Sequence, residues 1–379
     1  MCGAGDEPSM RTTEGIRRRD TALALLAGVV LAAAAAVDLV GGGLPGEQSP
    51  TDWLFLLASV AVVRLVVLPF ARDPSRRERY RAAFAERTGA TLAAAYLAVF
   101  AAVGVLGPVV VAEPLGDASR AYLPPVGFSV DTIVASNCLG PVVENRCHGT
   151  LAHPLGTDPF GRDVLVLLVR GARVSLEVAV VAAALIVPLG TAVGVAAGSS
   201  RGWVDDVLMR YVDVQETVPA FVVYVLLAYV YGRHLWLLVL AFGLLGWGSI
   251  ARLVRSETIR VTESSFVEAG RVAGAGRLGL LRRYVLPNVA DSVIVAAFAR
   301  APALILVEAA LAYMKLTDLD LLSWGAIAAR GLDQFFPLTW WISAAPAVAL
   351  VLTTVAASVA GDAARDALDR GSSTVRGPG

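Results

Sequence analysis

The sequence predicts an all-α polytopic membrane protein with about eight transmembrane helices. Of 379 residues, 56% are hydrophobic and only 17% charged, too apolar for an ordinary water-soluble domain. The apolar residues gather in runs of roughly 20, enough to cross the hydrocarbon of a bilayer. Arginine clusters alternate with those runs, the charge pattern of a multi-span protein. The formal net charge is zero, so no global electrostatic pull toward nucleic acid exists.

The runs fall at 21–41, 53–70, 90–112, 174–199, 212–232, 234–252, 290–313 and 338–360. Arginine in short loops is retained on the cytoplasmic side. Arg11, Arg17, Arg18 and Arg19 precede the first span; Arg72, Arg76, Arg77, Arg79, Arg81 and Arg87 separate the second from the third. Arg255, Arg260, Arg271, Arg277, Arg282 and Arg283 stand between the sixth and seventh, whereas the alternate short loops hold few or none. Both termini are therefore expected in the cytoplasm. The loop at 113–173 carries five arginines, but at about 60 residues it is long enough for the rule to weaken, and it is placed outside. The first run follows Arg17–Arg19 and ends in small residues, as a signal peptide would, but it exceeds a signal core in length and reads better as an anchor.

The outer loop holds Cys138 and Cys147. An oxidising compartment permits a disulfide between them; two free thiols, or a metal site with His148 and His153, are the other readings. Their spacing matches no common zinc pattern. In His153-Pro-Leu-Gly-Thr-Asp158-Pro159-Phe-Gly161-Arg162-Asp163, Asp158 is expected to cap a helix that has Pro159 at its first position. That short helix would run into the fourth span with Val164, Leu167 and Leu168 along the membrane interface.

Between the sixth and seventh spans, Ser265-x-x-Glu268 has the spacing of a capping box, and Gly274 suits a left-handed helix end. A second short helix through Leu278, Leu281 and Arg282 would finish near Pro287. The expected product is a compact helix–turn–helix knob beneath the bilayer. Within the spans, Gly190, Gly194 and Gly198 recur every four residues, a smooth face for helix packing. Pro188, Pro219, Pro302 and Pro346 are candidate kinks. Arg300 and Glu308 are intramembrane charges about 12 Å apart along one helix, too far to pair directly. Arg300 and Glu308 are expected to face an aqueous path or a partner chain, with snorkelling or a structural carbonyl as the competing reading for Arg300.

Two glycine patterns carry no chemistry. Gly274-Ala-Gly276-Arg-Leu-Gly279 lacks the preceding strand of a dinucleotide site, and Gly198-Ser-Ser200-Arg-Gly202 lacks a nucleophile elbow. The sole lysine, Lys315, lies between Met314 and Leu316, so no P-loop exists. No catalytic residue, metal site or cofactor is called for.

Glu268-Ala269-Gly270, Gly274 and Leu286-Pro287, at this spacing, resemble the "EAA" loop of ABC transporter permeases. Gly202-Trp203-Val-Asp205, Leu306-x-Glu308-Ala309, Ser323-Trp324-Gly325 and Gly361-Asp362-x-x-Arg365-Asp366 extend the resemblance to the dipeptide/oligopeptide type, in its C-type membrane subunit. The segment Asp158–Asp163 through Gly171-Ala-Arg-Val-Ser-Leu resembles that subunit's entry sequence, read first as a capped helix that positions the fourth span and second as a rim for a partner permease or a substrate-delivering protein. The likeness covers about 90–370, giving a six-span type I importer core at 90–370, an N-terminal extension with two added spans at 1–89, and a tail at 371–379.

It departs where Gly270 replaces an alanine, where Met314–Leu322 lacks a Gly-Leu-Gly turn, and in the added spans. The resemblance implies import of peptides or similar small solutes with a second homologous permease. It also implies two separate ATPase subunits docked on the loop at 253–289 and an external substrate-binding protein. An ion-coupled secondary transporter is the alternative, but Asp38, Glu177, Glu216 and Glu308 are its only candidate acids and no inverted repeat is evident. A receptor or scaffold would need a signalling domain for which the cytoplasmic segments are too short.

Overall fold

The computed structural model describes residues 50–373, apart from 136, 201, 319, 320, 333 and 334, and is almost wholly helical. The expected span at 21–41 lies outside the described residues. The chain divides into two units, Met1–Arg77 and Glu78–Gly379. In the first, α1 (Pro50–Arg72) is a single apolar helix, and α2 (Pro74–Ala85) begins after Asp73.

The second unit continues with α3 (Thr88–Val110), α4 (Val164–Ser200), α5 (Trp203–Thr217), α6 (Ala220–Tyr231), α7 (Leu235–Leu245) and α8 (Gly248–Thr262). It is completed by α9 (Ser265–Val272), α10 (Arg277–Leu280), α11 (Leu286–Tyr313), α12 (Trp324–Arg330) and α13 (Trp341–Ser373). Among the described residues six helices are long and apolar enough to cross a membrane, or seven when α5 and α6 count as one bent span. Those seven correspond to the second to eighth runs of the sequence.

Prolines decide where spans bend. The fifth run is not one straight helix: α5 and α6 meet at 64°. Pro219 bars the α conformation from the residue before it, and Val218 is accordingly extended (φ −82°, ψ 114°). Elsewhere the helix swallows its proline. A π-helical turn at Val63–Val67 precedes Pro69, and another at Leu281–Val285 precedes Pro287. The proline ring crowds the carbonyl four residues back, and one widened turn relieves that clash without ending the helix. The second short helix of the loop therefore does not finish near Pro287; Arg277–Tyr313 is one 37-residue apolar helix.

The stripe of Gly190, Gly194 and Gly198 on α4 packs against α8. A Cβ on Gly194 would stand 2.5 Å from the Ala251 carbonyl oxygen, and one on Gly190 2.8 Å from the Ile250 Cβ. These glycines let two backbones approach, as the packing reading requires.

The outer loop is folded. Ser129–Asp131 (β1), Val142–Val143 (β2) and Arg146–His148 (β3) form an antiparallel sheet of order β1-β3-β2, with Val130 opposite Cys147. Leu123, Val130, Val134 and Cys147 share one core with Val164, Leu167, Phe100, Trp324, Trp341 and Ile342. Val164 and Leu167 are fully buried there, so they do not lie along a membrane interface as the sequence suggested. Indole hydrogen bonds tie the layers together: Trp324 Nε1 donates to the Leu168 carbonyl (2.9 Å) and Trp341 Nε1 to that of Thr157 (3.2 Å).

Candidate functional site

Three places gather the residues singled out by the sequence. The first is the knob. From α8 the chain passes through Glu263 and Ser264 into α9, whose buried side holds Val267 and Gly270. Phe266 lies against the Tyr284 ring (centroids 6.1 Å), and a Cβ on Gly270 would come 3.1 Å from that ring. The glycine that departs from the family pattern thus seats an aromatic.

Gly274, at φ +84°, ends α9 in the left-handed region. The Ala275 amide donates to the Gly270 carbonyl and the Gly274 amide to that of Arg271, a Schellman motif. The start of α9 differs from expectation. Ser264, not Ser265, is the N-cap residue, and no side chain caps the helix. The Ser264 hydroxyl donates back to the Val261 carbonyl instead (2.5 Å). Glu268 is exposed and pairs with Arg271 (2.9 Å), so no capping box forms and the carboxylate stands on the surface. With Ser265, Glu268 and Ala269 exposed, together with Val272, Leu286 and Pro287, the knob presents a mixed apolar and charged face.

Behind the knob lies an ion-pair ladder that sequence reasoning did not identify. Arg255 of α8 grips Asp205 of α5 with two parallel bonds, Nε–Oδ1 at 2.5 Å and Nη2–Oδ2 at 2.6 Å. One turn earlier, Arg252 reaches Asp213 (2.8 Å) and Glu216. Arginines three apart on one helix face and acids along a neighbouring segment were the available signal. α5 leads into the Pro219 bend and α8 into the knob, so the ladder joins the two elements that surround them.

The second place is the outer entry segment. Asp158 does not cap a helix. It is fully buried, its Oδ1 accepting from the amides of Phe160 and Arg162 (both 2.9 Å) and its Oδ2 from the Arg162 guanidinium (2.8 and 2.5 Å). Gly161 completes that turn at φ +74°, where a Cβ would collide with the Asp117 carbonyl. The cap of α4 is Asp163, whose Oδ1 accepts from Leu165 (2.7 Å) and whose Oδ2 pairs with His153 Nδ1 (2.8 Å). Both aspartates suit a cap in sequence; the half-buried Arg162 claims the first. Cys138 and Cys147 are joined by a disulfide beside the sheet.

The third place is α11. Arg300 is exposed and bonds to the Ser249 hydroxyl of α8. Glu308, by contrast, is fully enclosed by this chain's own residues, with the Ser323 hydroxyl beside its carboxylate. It reaches no open surface among the described residues. Nearby, Tyr224 donates to the Leu316 carbonyl and Arg233 to that of Lys315, holding the turn after α11. No cluster of metal-ligating side chains occurs among the described residues.

Residues 190–374, which span the glycine stripe, the ladder, the knob and α11, match the family described as the binding-protein-dependent transport system inner membrane component. The chain is 35% identical over 218 residues to the oligopeptide transport system permease protein OppC of Haemophilus influenzae, covering 57% of this chain and 70% of that protein. The chain belongs to this permease family. It is also 37% identical to OppC of Escherichia coli, over 57% of this chain and 72% of that one. It is 34% identical to the dipeptide transport system permease protein DppC of Bacillus subtilis, over 57% and 68%. As a permease it is a multi-pass membrane subunit of a binding-protein-dependent transporter. The extension, α3, the whole outer loop and the first part of α4 precede residue 190, where the family match begins.

Proposed function

We propose that this permease forms, with a second homologous permease, the path by which an ABC importer takes in peptides or similar small solutes. The supporting observation is the knob: the short helix α9 packed through Val267 and Gly270 on Tyr284 at the start of the long helix Arg277–Tyr313, with Glu268 and the Gly274 turn exposed. A surface of that kind in a chain without a P-loop serves as a socket contact for a separate motor. Two ATPase subunits dock on residues 263–287, and their ATP-driven closure pushes the knob. An external binding protein delivers substrate to the outer loop, where Asp158–Asp163 forms part of the rim. Arg300 faces the translocation path or the partner permease. The termini lie in the cytoplasm. The peptide class comes from the relatives' names, and selection among peptides rests with the binding protein.

The test is affinity purification of tagged protein from its native membrane, beside a Glu268→Arg, Gly274→Pro variant. Wild type should bring down a P-loop ATPase and a second permease, and the variant should keep the permease and lose the ATPase. Recovery of wild type alone in mild detergent would overturn the importer reading and favour ion coupling.

A further inference from the structure

α2 lies outside the matched family region and has no place in the transport reading. Its sequence, Pro-Ser-Arg-Arg-Glu-Arg-Tyr-Arg-Ala-Ala-Phe-Ala, holds four arginines in twelve residues. From Arg72 to Arg87 there are six arginines against Asp73, Glu78 and Glu86, a net charge of 6 − 3 = +3. Chain reach keeps this helix at the bilayer surface. A single residue, Asp73, separates it from the apolar α1, and two, Glu86 and Arg87, separate it from α3. At about 3.5 Å per residue neither linker can carry it far from the membrane.

Part of the helix is anchored. Ala83 is buried, Phe84 packs on the cluster of Ala93, Ala356 and Ala360, and Arg87 pairs with Asp366 (2.7 Å). Arg77 and Arg81, one turn apart, are exposed, and Arg79 is half-buried. No ion pair among the described residues engages any of these three. Packing does not explain them, and orientation of the spans requires only positive charge, not a helix that displays it.

We propose that α2 is a binding surface for anionic phospholipid headgroups, with Arg77, Arg79 and Arg81 holding lipid phosphates. A guanidinium presents a planar fork of donors that matches a phosphate, and basic clusters immediately beside a membrane span concentrate acidic lipids. The anchor at Phe84 and Arg87 pre-orders the arginines, reducing the entropy lost when a headgroup binds. This surface does not depend on the ATPase-docking reading, because it is filled in the absence of any motor.

The experiment reconstitutes the full chain in nanodiscs of mixed phosphatidylglycerol and phosphatidylcholine, without ATPase or nucleotide. Native mass spectrometry after gentle extraction then counts retained lipid. Wild type should retain phosphatidylglycerol preferentially, and Arg77→Gln/Arg79→Gln/Arg81→Gln should reduce that preference roughly tenfold at low salt. The difference should shrink as salt is raised. The corresponding triple lysine variant guards against misorientation and should keep most of the preference. Removing equal charge from the knob, Arg277→Gln/Arg282→Gln/Arg283→Gln, should leave it unchanged. Undiminished retention in the α2 glutamine variant overturns the proposal. So does equal loss in the knob variant, or loss of a co-purifying acidic protein with lipid retention intact.

Discussion

Arg255 and Asp205 face each other across α8 and α5 as a two-bond fork, 50 residues apart in the chain. The aspartate side chain is 12% exposed and the arginine 36%, so the pair is only partly screened by solvent. Arg255→Ala should lower stability by about 1–2 kcal/mol, discounted for the arginine's exposure. Asp205→Ala should do the same, and the two losses should be strongly non-additive in the double variant. Thermal unfolding in detergent, run as a double-mutant cycle, measures this. If the ladder also transmits knob motion, the single variants should hydrolyse ATP in the reconstituted complex with reduced transport per turnover.

Gly194 tests the packing of α4 on α8. A methyl group would meet the Ala251 carbonyl oxygen and the Val254 Cβ, and backbone cannot move aside cheaply. Gly194→Ala should cost about 1–3 kcal/mol and Gly194→Leu should abolish assembly of the spans. Melting temperature and monodisperse yield are the readouts. Gly202→Ala is a poor control, since its backbone is left-handed; Gly279→Ala, where a Cβ meets nothing, should be close to neutral.

The turn after α11 repeats the motif that ends α9, but with a lysine. Lys315 has φ +59°, its amide donates to the Ala312 carbonyl, and the Leu316 amide to that of Leu311. Lys315→Gly should therefore raise stability by about 1 kcal/mol, while Gly274→Ala should lower it by a similar amount. A rise for the first with a fall for the second, by differential scanning fluorimetry, confirms both turns. The Arg233 bond to the Lys315 carbonyl involves backbone and should survive the change.

The disulfide offers a test of sidedness. After reduction of intact cells or right-side-out vesicles, a membrane-impermeant maleimide should label the partly exposed Cys138, whereas a cysteine engineered in place of Glu268 should react only from the opposite face. Cys138→Ser/Cys147→Ser should loosen the small sheet by about 2–3 kcal/mol, the worth of a short closed loop, and make the outer loop protease-sensitive. Labelling of position 138 and position 268 from the same face would overturn the topology.

Composition and periodicity alone determined the number of apolar runs, the arginine-rich loops between them and the glycine stripe that packs α4. They also located the glycine that ends α9. These are local properties: an apolar run must be shielded from water, and a left-handed turn favours glycine whatever surrounds it. Other features rest on which groups meet across the fold. Asp158 and Asp163 are equivalent cap candidates in sequence, and only the Arg162 guanidinium held on the first leaves the second to start α4. Pro219 breaks its span, whereas Pro188, Pro302 and Pro346 lie inside continuous helices and Pro287 follows a π turn without ending its helix, a difference no local pattern encodes. That Glu308 is enclosed by neighbouring helices is visible only in the tertiary packing. The Arg255–Asp205 fork needed two helices brought side by side, a long-range contact that no local pattern encodes.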